Sequence, residues 1–183
     1  MEITELPLAG AKLIRPRVFR DPRGFFFESF NQARYREAGM PEQWVQDNHS
    51  LSCQGTLRGL HYQSAPGQAK LVRVTLGRIF DVLVDIRPTS PSFGKWHGVE
   101  LDAEAHCQVY IPIGFAHGFC VLSETAEVQY KVSAPYDAAT ECGFRWNDPE
   151  VGVVWPLASP ILSGRDQVSE SFADFKARLG KQQ

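Results

Sequence analysis

The sequence predicts an all-β protein, an antiparallel barrel or sandwich with a few short peripheral helices, and three observations lead to this expectation. Segments in which apolar and polar side chains alternate dominate the chain, as in half-buried strands. Turn-forming residues separate these segments, at 65–67, 76–78, 87–94 and 111–115. Helical periodicity is confined to two short stretches. Many short strands between regular turns are typical of a β barrel or sandwich.

Four segments carry the clearest alternation: KLVRVTLG (70–77), RIFDVLVDIR (78–87), HGFCVLS (117–123) and AEVQYKVS (126–133). A fifth, GTLRGLHYQ (55–63), places three apolar side chains where a strand would pack them. Its glycines, Gly55 and Gly59, weaken a regular strand and can host a bulge. We therefore expect this stretch to form a deformed part of the barrel wall.

The two helical stretches have recognisable ends. NQARYREAG (31–39) opens with an asparagine, a favourable N-cap, and closes at Gly39. SESFADFKARLG (169–180) opens with Ser169 and closes at Gly180. Both stretches are short, so we expect them at the edge of the barrel.

The composition describes a globular chain without a strong overall charge. Of its 183 residues, 43% are hydrophobic, which suits one sizeable core, and no linker or repeat divides residues 1–183. We therefore expect a single domain. Lys and Arg number 19 and Asp and Glu 21, a formal charge of −2. Such a chain has no overall field to attract nucleic acid or an anionic membrane, so an anionic ligand must meet a local cluster of Arg and Lys.

The sequence also lacks the usual signs of export. No eighteen apolar residues run together, and the first residues contain two acids and no apolar run of signal-peptide length. The four cysteines form no C-x-x-C pair and are interpreted as reduced thiols. We expect a cytoplasmic protein.

Strand alternation indicates which polar side chains point into the barrel. Tyr130 shares a face with Val128 and Val132, and Lys70 shares one with other apolar residues of its segment. Because the apolar face of a closed sheet points inward, both are expected inside. Arg58 and His61 are three positions apart and would face opposite ways on a regular strand. A bulge at the glycine between them would bring both to one side.

The stretch PIGFAH (112–117) raises the question of a metal. Metal-binding cupin barrels use a P-x-G-x-x-H stretch, which Pro112, Gly114 and His117 satisfy, with an H-x-H stretch and a glutamate as its partner. The corresponding stretch here is His61-Tyr62-Gln63, and no carboxylate follows it. Two imidazoles fall short of the three ligands of a catalytic zinc or a facial iron triad. The pattern favours a cupin-type barrel without a metal or other cofactor.

Without a metal, the side chains must carry the chemistry. His61 is the natural base, Tyr130 an acid, and Lys70 and Arg58 are cations suited to a developing oxyanion. A base, an acid and a cation within one barrel suit proton abstraction next to a carbonyl. The enolate would be held by Lys70 and reprotonated from the other side by Tyr130.

Eight strings in this chain resemble the dTDP-4-dehydrorhamnose 3,5-epimerase family, in the family's order and from Leu13 to about Gln167. They are FRDPRGFFFESF, QDNHSLS, GTLRGLHYQ, AKLVRVTLGRIFDVLVDIR, FGKWHGVEL, IPIGFAHGFCVLSE, EVQYKVS and ECGFRWNDPE. The resemblance implies a metal-free cupin jelly roll. It also implies epimerisation at C3 and C5 of dTDP-4-dehydro-6-deoxy-D-glucose, in dTDP-L-rhamnose biosynthesis.

The resemblance implies a role for each matched residue. His61 would be the proton acceptor, Tyr130 the proton donor, and Asp166 the aspartate that orients the histidine. The groups that would bind the substrate are Arg23, Glu28, Gln46, Asp47, Asn48, Arg58, Lys70, His117, Tyr136, Glu141 and Arg165. Of these, Tyr136 would stack on the thymine, and Lys70 and Arg58 would lie near the C4 oxygen and the diphosphate. Arg165 stands where the family usually has lysine, so a planar guanidinium replaces a point-like ammonium at that contact.

The family also forms homodimers in which N-terminal strands cross to the partner, so an N-terminal arm is expected. Arg23 and Glu28 would then serve the neighbour's site.

Three alternatives to the double epimerase remain: a single-centre epimerase or ketoisomerase on a related dTDP-4-keto sugar, a metal-dependent cupin enzyme, and a carbohydrate-binding barrel without turnover. Hydrogen exchange at the sugar carbons and elemental analysis separate them.

Overall fold

The computed structural model describes residues 1–41 and 43–179 of the chain. Its strands are β1 (Glu2–Glu5), β2 (Lys12–Arg15), β3 (Phe19–Asp21), β4 (Gly24–Phe26), β5 (Gln46–Cys53), β6 (Leu57–Gln63), β7 (Lys70–Leu76), β8 (Arg78–Asp85), β9 (Trp96–Asp102), β10 (Gln108–Ile111), β11 (Phe115–Val121), β12 (Thr125–Val132) and β13 (Glu141–Gly143). Its helices are α1 (Gln32–Glu37), α2 (Gly164–Gln167) and α3 (Phe172–Leu179).

Two antiparallel sheets make up the barrel. One has six strands in the order β1-β2-β10-β7-β12-β5, and the other has five in the order β13-β6-β11-β8-β9. Within the described residues, strands β3 and β4 pair with each other and with no further strand, and they form a hairpin. The all-β, jelly-roll prediction is therefore confirmed, and β3–β4 stands apart as an N-terminal hairpin.

The main core lies between the two sheets because each sheet turns an apolar face toward the other. Val72 and Val128 of the six-stranded sheet belong to the same buried cluster as Ile79 and Phe119 of the five-stranded sheet. Tyr130 packs against this cluster as well. The inward orientation predicted for the Tyr130 face is confirmed.

The outer faces are covered by the helices. The five-stranded sheet packs Val82 and Val84 of β8 against Phe172 and Phe175 of α3. On the outer face of the six-stranded sheet, Tyr35 of α1 belongs to one buried cluster with Leu71 of β7 and Tyr110 of β10. Strand β8 thus carries apolar side chains on both faces, and it is buried on both sides.

The predicted strand segments correspond to β6, β7, β8, β11 and β12. The first helix begins as predicted, with the Asn31 side chain accepting a hydrogen bond from the Arg34 backbone N–H. The last helix begins later than predicted, because Ser171 rather than Ser169 accepts the Asp174 N–H. The predicted closure at Gly180 lies outside the described residues. Among the described residues, no helix has the length and apolar character needed to cross a membrane.

Candidate active site

A cavity of about 100 Å³ opens between the two sheets and collects half of the predicted site residues. Its lining consists of Gln46, Asn48, His61, Tyr62, Gln63, Gln68, Lys70, Tyr130, Tyr136 and Glu141. The six-stranded sheet supplies Lys70 and Tyr130, whereas the five-stranded sheet supplies His61. The predicted base therefore faces the predicted acid and ammonium from the opposite wall.

The glycine bulge in β6 is present. His61 lies opposite His117 of β11 and Arg58 lies opposite Phe119, with a register shift between the two pairs. Because the two β11 residues share a face, Arg58 and His61 share one too, as predicted. Gly59 has a φ of +133°, and a Cβ there would lie 2.5 Å from the Gly118 Cα. Only glycine fits this close approach of β6 to β11.

The His61 imidazole is bonded to a buried carboxylate. Its Nε2 lies 2.5 Å from Asp166 Oδ1, and Asp166 is only 3% exposed. An ionised carboxylate only accepts hydrogen bonds, so Nε2–H is the donor and Nδ1 keeps the lone pair. Burial opposes ionisation of Asp166, but the hydrogen bond from His61 and that from Ser163 hold its pKa below the ordinary value. The pair can orient a neutral imidazole and stabilise it once protonated.

Asp166 reaches His61 because the chain returns to the start of β6. The backbone N–H of Leu57 donates to the carbonyl of Ile161, and that of Ile161 donates to Gly55. Ser163 then caps the short helix α2, accepting from the Asp166 N–H and donating its hydroxyl to Asp166 Oδ2. These bonds hold the carboxylate at a set position beside β6.

Lys70 and Tyr130 are both affected by burial. Burial lowers the pKa of Lys70 to about 8, against the opposing effect of the Asp81 and Glu141 carboxylates. Burial raises the pKa of Tyr130, Glu141 raises it further, and Arg58 lowers it. Lys70 is therefore an ammonium over much of the neutral range, while Tyr130 is a protonated phenol. These are the states that the predicted roles of oxyanion holder and proton donor require.

Polar groups crowd the mouth of the cavity. Glu141 forms an ion pair with Arg165, and the Tyr136 hydroxyl is hydrogen-bonded to Glu141. These contacts lower the pKa of Glu141 although its burial raises it. Gln46 accepts from the Tyr136 backbone N–H and donates to Asn48. Arg165 thus takes part in the mouth of the cavity in spite of its departure from the family's lysine.

Several predicted residues lie away from the cavity lining. On β5, Asp47 points to the face opposite Gln46 and Asn48, away from the cavity. It is ion-paired with Lys131 and lines a second cavity of about 360 Å³. Arg23 sits on the β3–β4 hairpin, bonded to Asp21, and its side chain is 90% exposed. Glu28 accepts from Arg34 and Asn31. One copy of the chain does not bring these three to the cavity.

Two further predicted residues lie beside the cavity. The Arg58 guanidinium donates to the Ser52 hydroxyl and is close enough to Tyr130 to affect its titration. His117 is buried, and its Nε2 lies 2.7 Å from Asp81 Oδ2. Burial lowers the pKa of His117, with Asp81 opposing the shift.

Sequence reasoning missed Gln63 and Gln68 in the cavity lining, Ser163 behind Asp166, and Asp81 behind His117. Gln63 follows His61 by two positions, so strand alternation could have found it. Asp81 shares a face with Ile79 and Leu83, but both faces of its strand are apolar, so alternation does not say which is inward. Within residues 1–41 and 43–179, no group of three or more His, Cys, Asp or Glu side chains is arranged to hold a metal ion.

Known proteins resemble this chain over almost its full length. Residues 5–174 match the family model described as dTDP-4-dehydrorhamnose 3,5-epimerase. A dTDP-4-dehydrorhamnose 3,5-epimerase of Pseudomonas aeruginosa is 53% identical over 95% of this chain and 97% of its own. A dTDP-4-dehydrorhamnose 3-epimerase of Streptomyces niveus is 42% identical, over 91% of this chain and 82% of its own.

Solved structures agree in fold. The crystal structure of a dTDP-6-deoxy-D-glucose-3,5-epimerase from Legionella pneumophila, in complex with dTDP-4-keto-L-rhamnose, is 44% identical in sequence. It matches with a TM-score of 0.94 over 97% of this chain and 96% of its own. On the match of the family model and the identity to these relatives, the chain belongs to the dTDP-4-dehydrorhamnose 3,5-epimerase family.

Proposed function

We propose that this protein epimerises C3 and C5 of dTDP-4-dehydro-6-deoxy-D-glucose, giving dTDP-4-dehydro-L-rhamnose in dTDP-L-rhamnose biosynthesis. The observation that carries the proposal is the placement of the Asp166-bonded His61 across one cavity from Lys70 and Tyr130. The Legionella relative, whose structure holds dTDP-4-keto-L-rhamnose, the product of the proposed reaction, supports the choice of substrate.

The proposed step moves two protons and needs no redox change. His61 takes the proton from the carbon next to the C4 ketone, and the bonding electrons move onto the C4 oxygen. The Lys70 ammonium stabilises that oxyanion. Tyr130 then gives a proton to the opposite face of the carbon as the ketone re-forms, which inverts the centre. Since the ketone itself accepts the electrons, the step requires no cofactor.

We assign the remaining predicted residues to binding. Gln46, Asn48, Tyr136, Glu141 and Arg165 surround the mouth, where the nucleotide would lie, and the Tyr136 ring is exposed enough to stack on a base. Arg58 and His117 lie next to the proposed base on β6 and β11. Such contacts hold the reacting carbon near His61.

Arg23 and Glu28 are proposed to act in a homodimer, whereas Asp47 stays a proposed nucleotide-sugar contact. The β3–β4 hairpin exposes Phe19, Phe25 and Phe26 beside Arg23, an apolar surface that a second copy of the chain would cover. Exchange of these N-terminal segments would bring Arg23 and Glu28 to the partner's cavity. A cytoplasmic location is also proposed, since all four cysteines are unpaired.

A single-centre epimerase is the second candidate, because the Streptomyces niveus relative carries a 3-epimerase name at 42% identity. Both candidates use a base next to the C4 ketone. They differ in whether the base also removes the proton from C5.

Proton NMR of the keto sugar nucleotide with the protein in heavy water tests the function. We expect the signals at both C3 and C5 to disappear as deuterium enters. His61→Asn is expected to abolish exchange at both carbons, whereas His49→Asn, which changes an exposed histidine on the outer face, should exchange normally. Exchange at one carbon only would assign the single-centre reaction, and no exchange at either would refute both candidates.

A further inference from the structure

A second histidine–aspartate pair lies beside the His61–Asp166 pair. His117 stands directly opposite His61 in the β6–β11 register. Its Nε2 lies 2.7 Å from Asp81 Oδ2, and Asp81 is 0% exposed, whereas His117 is 7% exposed. The proposed epimerisation assigns no role to Asp81.

Asp81 is incompletely paired inside the barrel. Its Oδ1 atom is buried and has no hydrogen-bond partner in the described part of the chain. A buried carboxylate oxygen without a partner is costly, and such groups persist where another charge compensates them. His117 does not supply that charge, because burial lowers its pKa and favours the neutral ring.

Lys70 is a buried cation on the inward face of the six-stranded sheet, opposite the inward face of the five-stranded sheet that carries Asp81. Asp81 is the larger of the two charges that raise the pKa of Lys70 against its burial, the other being Glu141. Lys70 in turn lowers the pKa of His117, as does His61. Of the titratable groups around the ammonium, Glu141, His61 and Tyr130 line the same cavity. Asp81 of β8 and His117 of β11 are coupled to Lys70 through their charges.

Of the two acids near Lys70, Glu141 already has a cationic partner. It is ion-paired with Arg165 at the cavity mouth and bonded to Tyr136. Among the described residues, Asp81 forms no salt bridge with a Lys or Arg side chain, but its charge acts on Lys70. Asp81 is thus the buried carboxylate without an Arg or Lys ion pair that can balance the buried Lys70 ammonium by charge.

We propose that Asp81 is a positioning residue that keeps Lys70 charged and holds His117 as a neutral ring donating from Nε2. The proposal rests on the proposed function, in which the Lys70 ammonium stabilises the oxyanion on C4. Asp81 does not touch the sugar; it acts through Lys70 and His117.

Asp81→Asn tests the proposal because it removes the charge and keeps the shape. A nearby opposite charge shifts a titration by about one to three pH units, so we expect the Lys70 midpoint to fall by at least about one unit. The ¹³Cε resonance of Lys70 in protein labelled with ¹³C-lysine, assigned with Lys70→Arg, reports this midpoint directly. The alkaline limb of the kcat profile should move with it, which lowers the rate at pH 8 about fivefold relative to pH 6.5.

Asp85→Asn is the matched control. Asp85 lies four positions along β8 on the same face and is equally buried, but Arg87, Ser90 and Ser92 satisfy its oxygens. This variant should lose stability while the Lys70 midpoint and the kcat profile stay in place.

An unchanged Lys70 midpoint in folded Asp81→Asn would overturn the proposal, whatever the activity. Thermal melts establish folding. If Asp81→Asn does not fold, the double variant Lys70→Met/Asp81→Asn is expected to restore folding, because it removes both charges; failure to do so also overturns the proposal. The NMR titration needs no turnover, so absence of exchange by the unmodified protein refutes the proposed function and leaves the Asp81–Lys70 coupling to be judged separately.

Discussion

At the scale of single residues, side chains behind the cavity set the properties of those that line it. Asp166 contributes little surface, yet it decides which nitrogen of His61 keeps the lone pair. Ser163 in turn fixes Asp166, because its hydroxyl donates to the Asp166 carboxylate and accepts from the Asp166 backbone N–H. The proposed base therefore depends on a chain of hydrogen bonds that starts at the cap of α2.

Asp166→Asn tests this dependence. The amide keeps the size but cannot stabilise a positive charge on His61, so we expect kcat to fall by about 10²–10⁴ while KM changes little. Steady-state kinetics with the keto sugar nucleotide measure both. Ser163→Ala removes only the support of the carboxylate and should cost less than Asp166→Asn. Equal losses in the two variants would mean that Ser163 does more than position Asp166.

At the scale of elements, the bulge in β6 decides which residues share the cavity. A regular strand would turn Arg58 away from the face that carries His61. The close contact of Gly59 with the Gly118 Cα permits the register shift. Two glycines on neighbouring strands therefore place a cation and an imidazole on one side.

Gly59→Ala should disturb the bulge. The added Cβ would lie 2.5 Å from the Gly118 Cα and 3.0 Å from the His117 carbonyl oxygen, at a φ that alanine avoids. We expect the free energy of unfolding to fall by about 2–4 kcal/mol, measured by urea denaturation, together with loss of hydrogen exchange. Gly55→Ala is the control, because its φ is also positive but nothing lies within 4 Å. It should cost about 1 kcal/mol; a similar loss in both would refute the steric explanation.

At the scale of the whole molecule, one copy of the chain supplies the proposed base, acid and ammonium of the cavity but does not bring the predicted binding residue Arg23 to it. The proposed reacting groups all come from one copy, while Arg23 stands on a hairpin that pairs with no other strand of the described chain. The exposed phenylalanines of that hairpin suit burial against a second copy.

Mixing two inactive variants tests the proposed exchange. In a heterodimer of Arg23→Ala and His61→Asn, the site with an intact His61 would receive its arginine from the other chain. We expect activity to recover on mixing, and sedimentation to give twice the 20.5 kDa of one chain. Recovery would fail if Arg23 served the cavity of its own chain, and a species of 20.5 kDa would exclude the dimer.

The sequence by itself determined the fold class and the inward side of the strands that carry Lys70 and Tyr130. Alternation is a local steric property of the extended chain, so the inward faces of Lys70 and Tyr130 could be derived from their neighbours alone. The β6 bulge could be predicted too, because a glycine inside a strand is typical of a bulge or of a close approach between backbones. The late start of α3 could not, since both serines suit an N-cap. Glu170 lies between them and is held outside the helix by its bridge to Phe144 and by the Arg145 N–H, which donates to its carbonyl.

Only the tertiary structure decided which distant groups meet. Asp166 lies 105 positions from His61 and reaches it because the chain returns beside β6, which no local pattern encodes. The resemblance to the family supplied that pairing, not the spacing of the residues. Neither the alternation of side chains nor the resemblance identified Asp81. Because α3 covers the outer face of β8, that strand has apolar residues on both sides, and alternation does not show that Asp81 points inward. Strand direction is set by neighbouring residues, whereas burial and charge balance depend on what packs across the barrel.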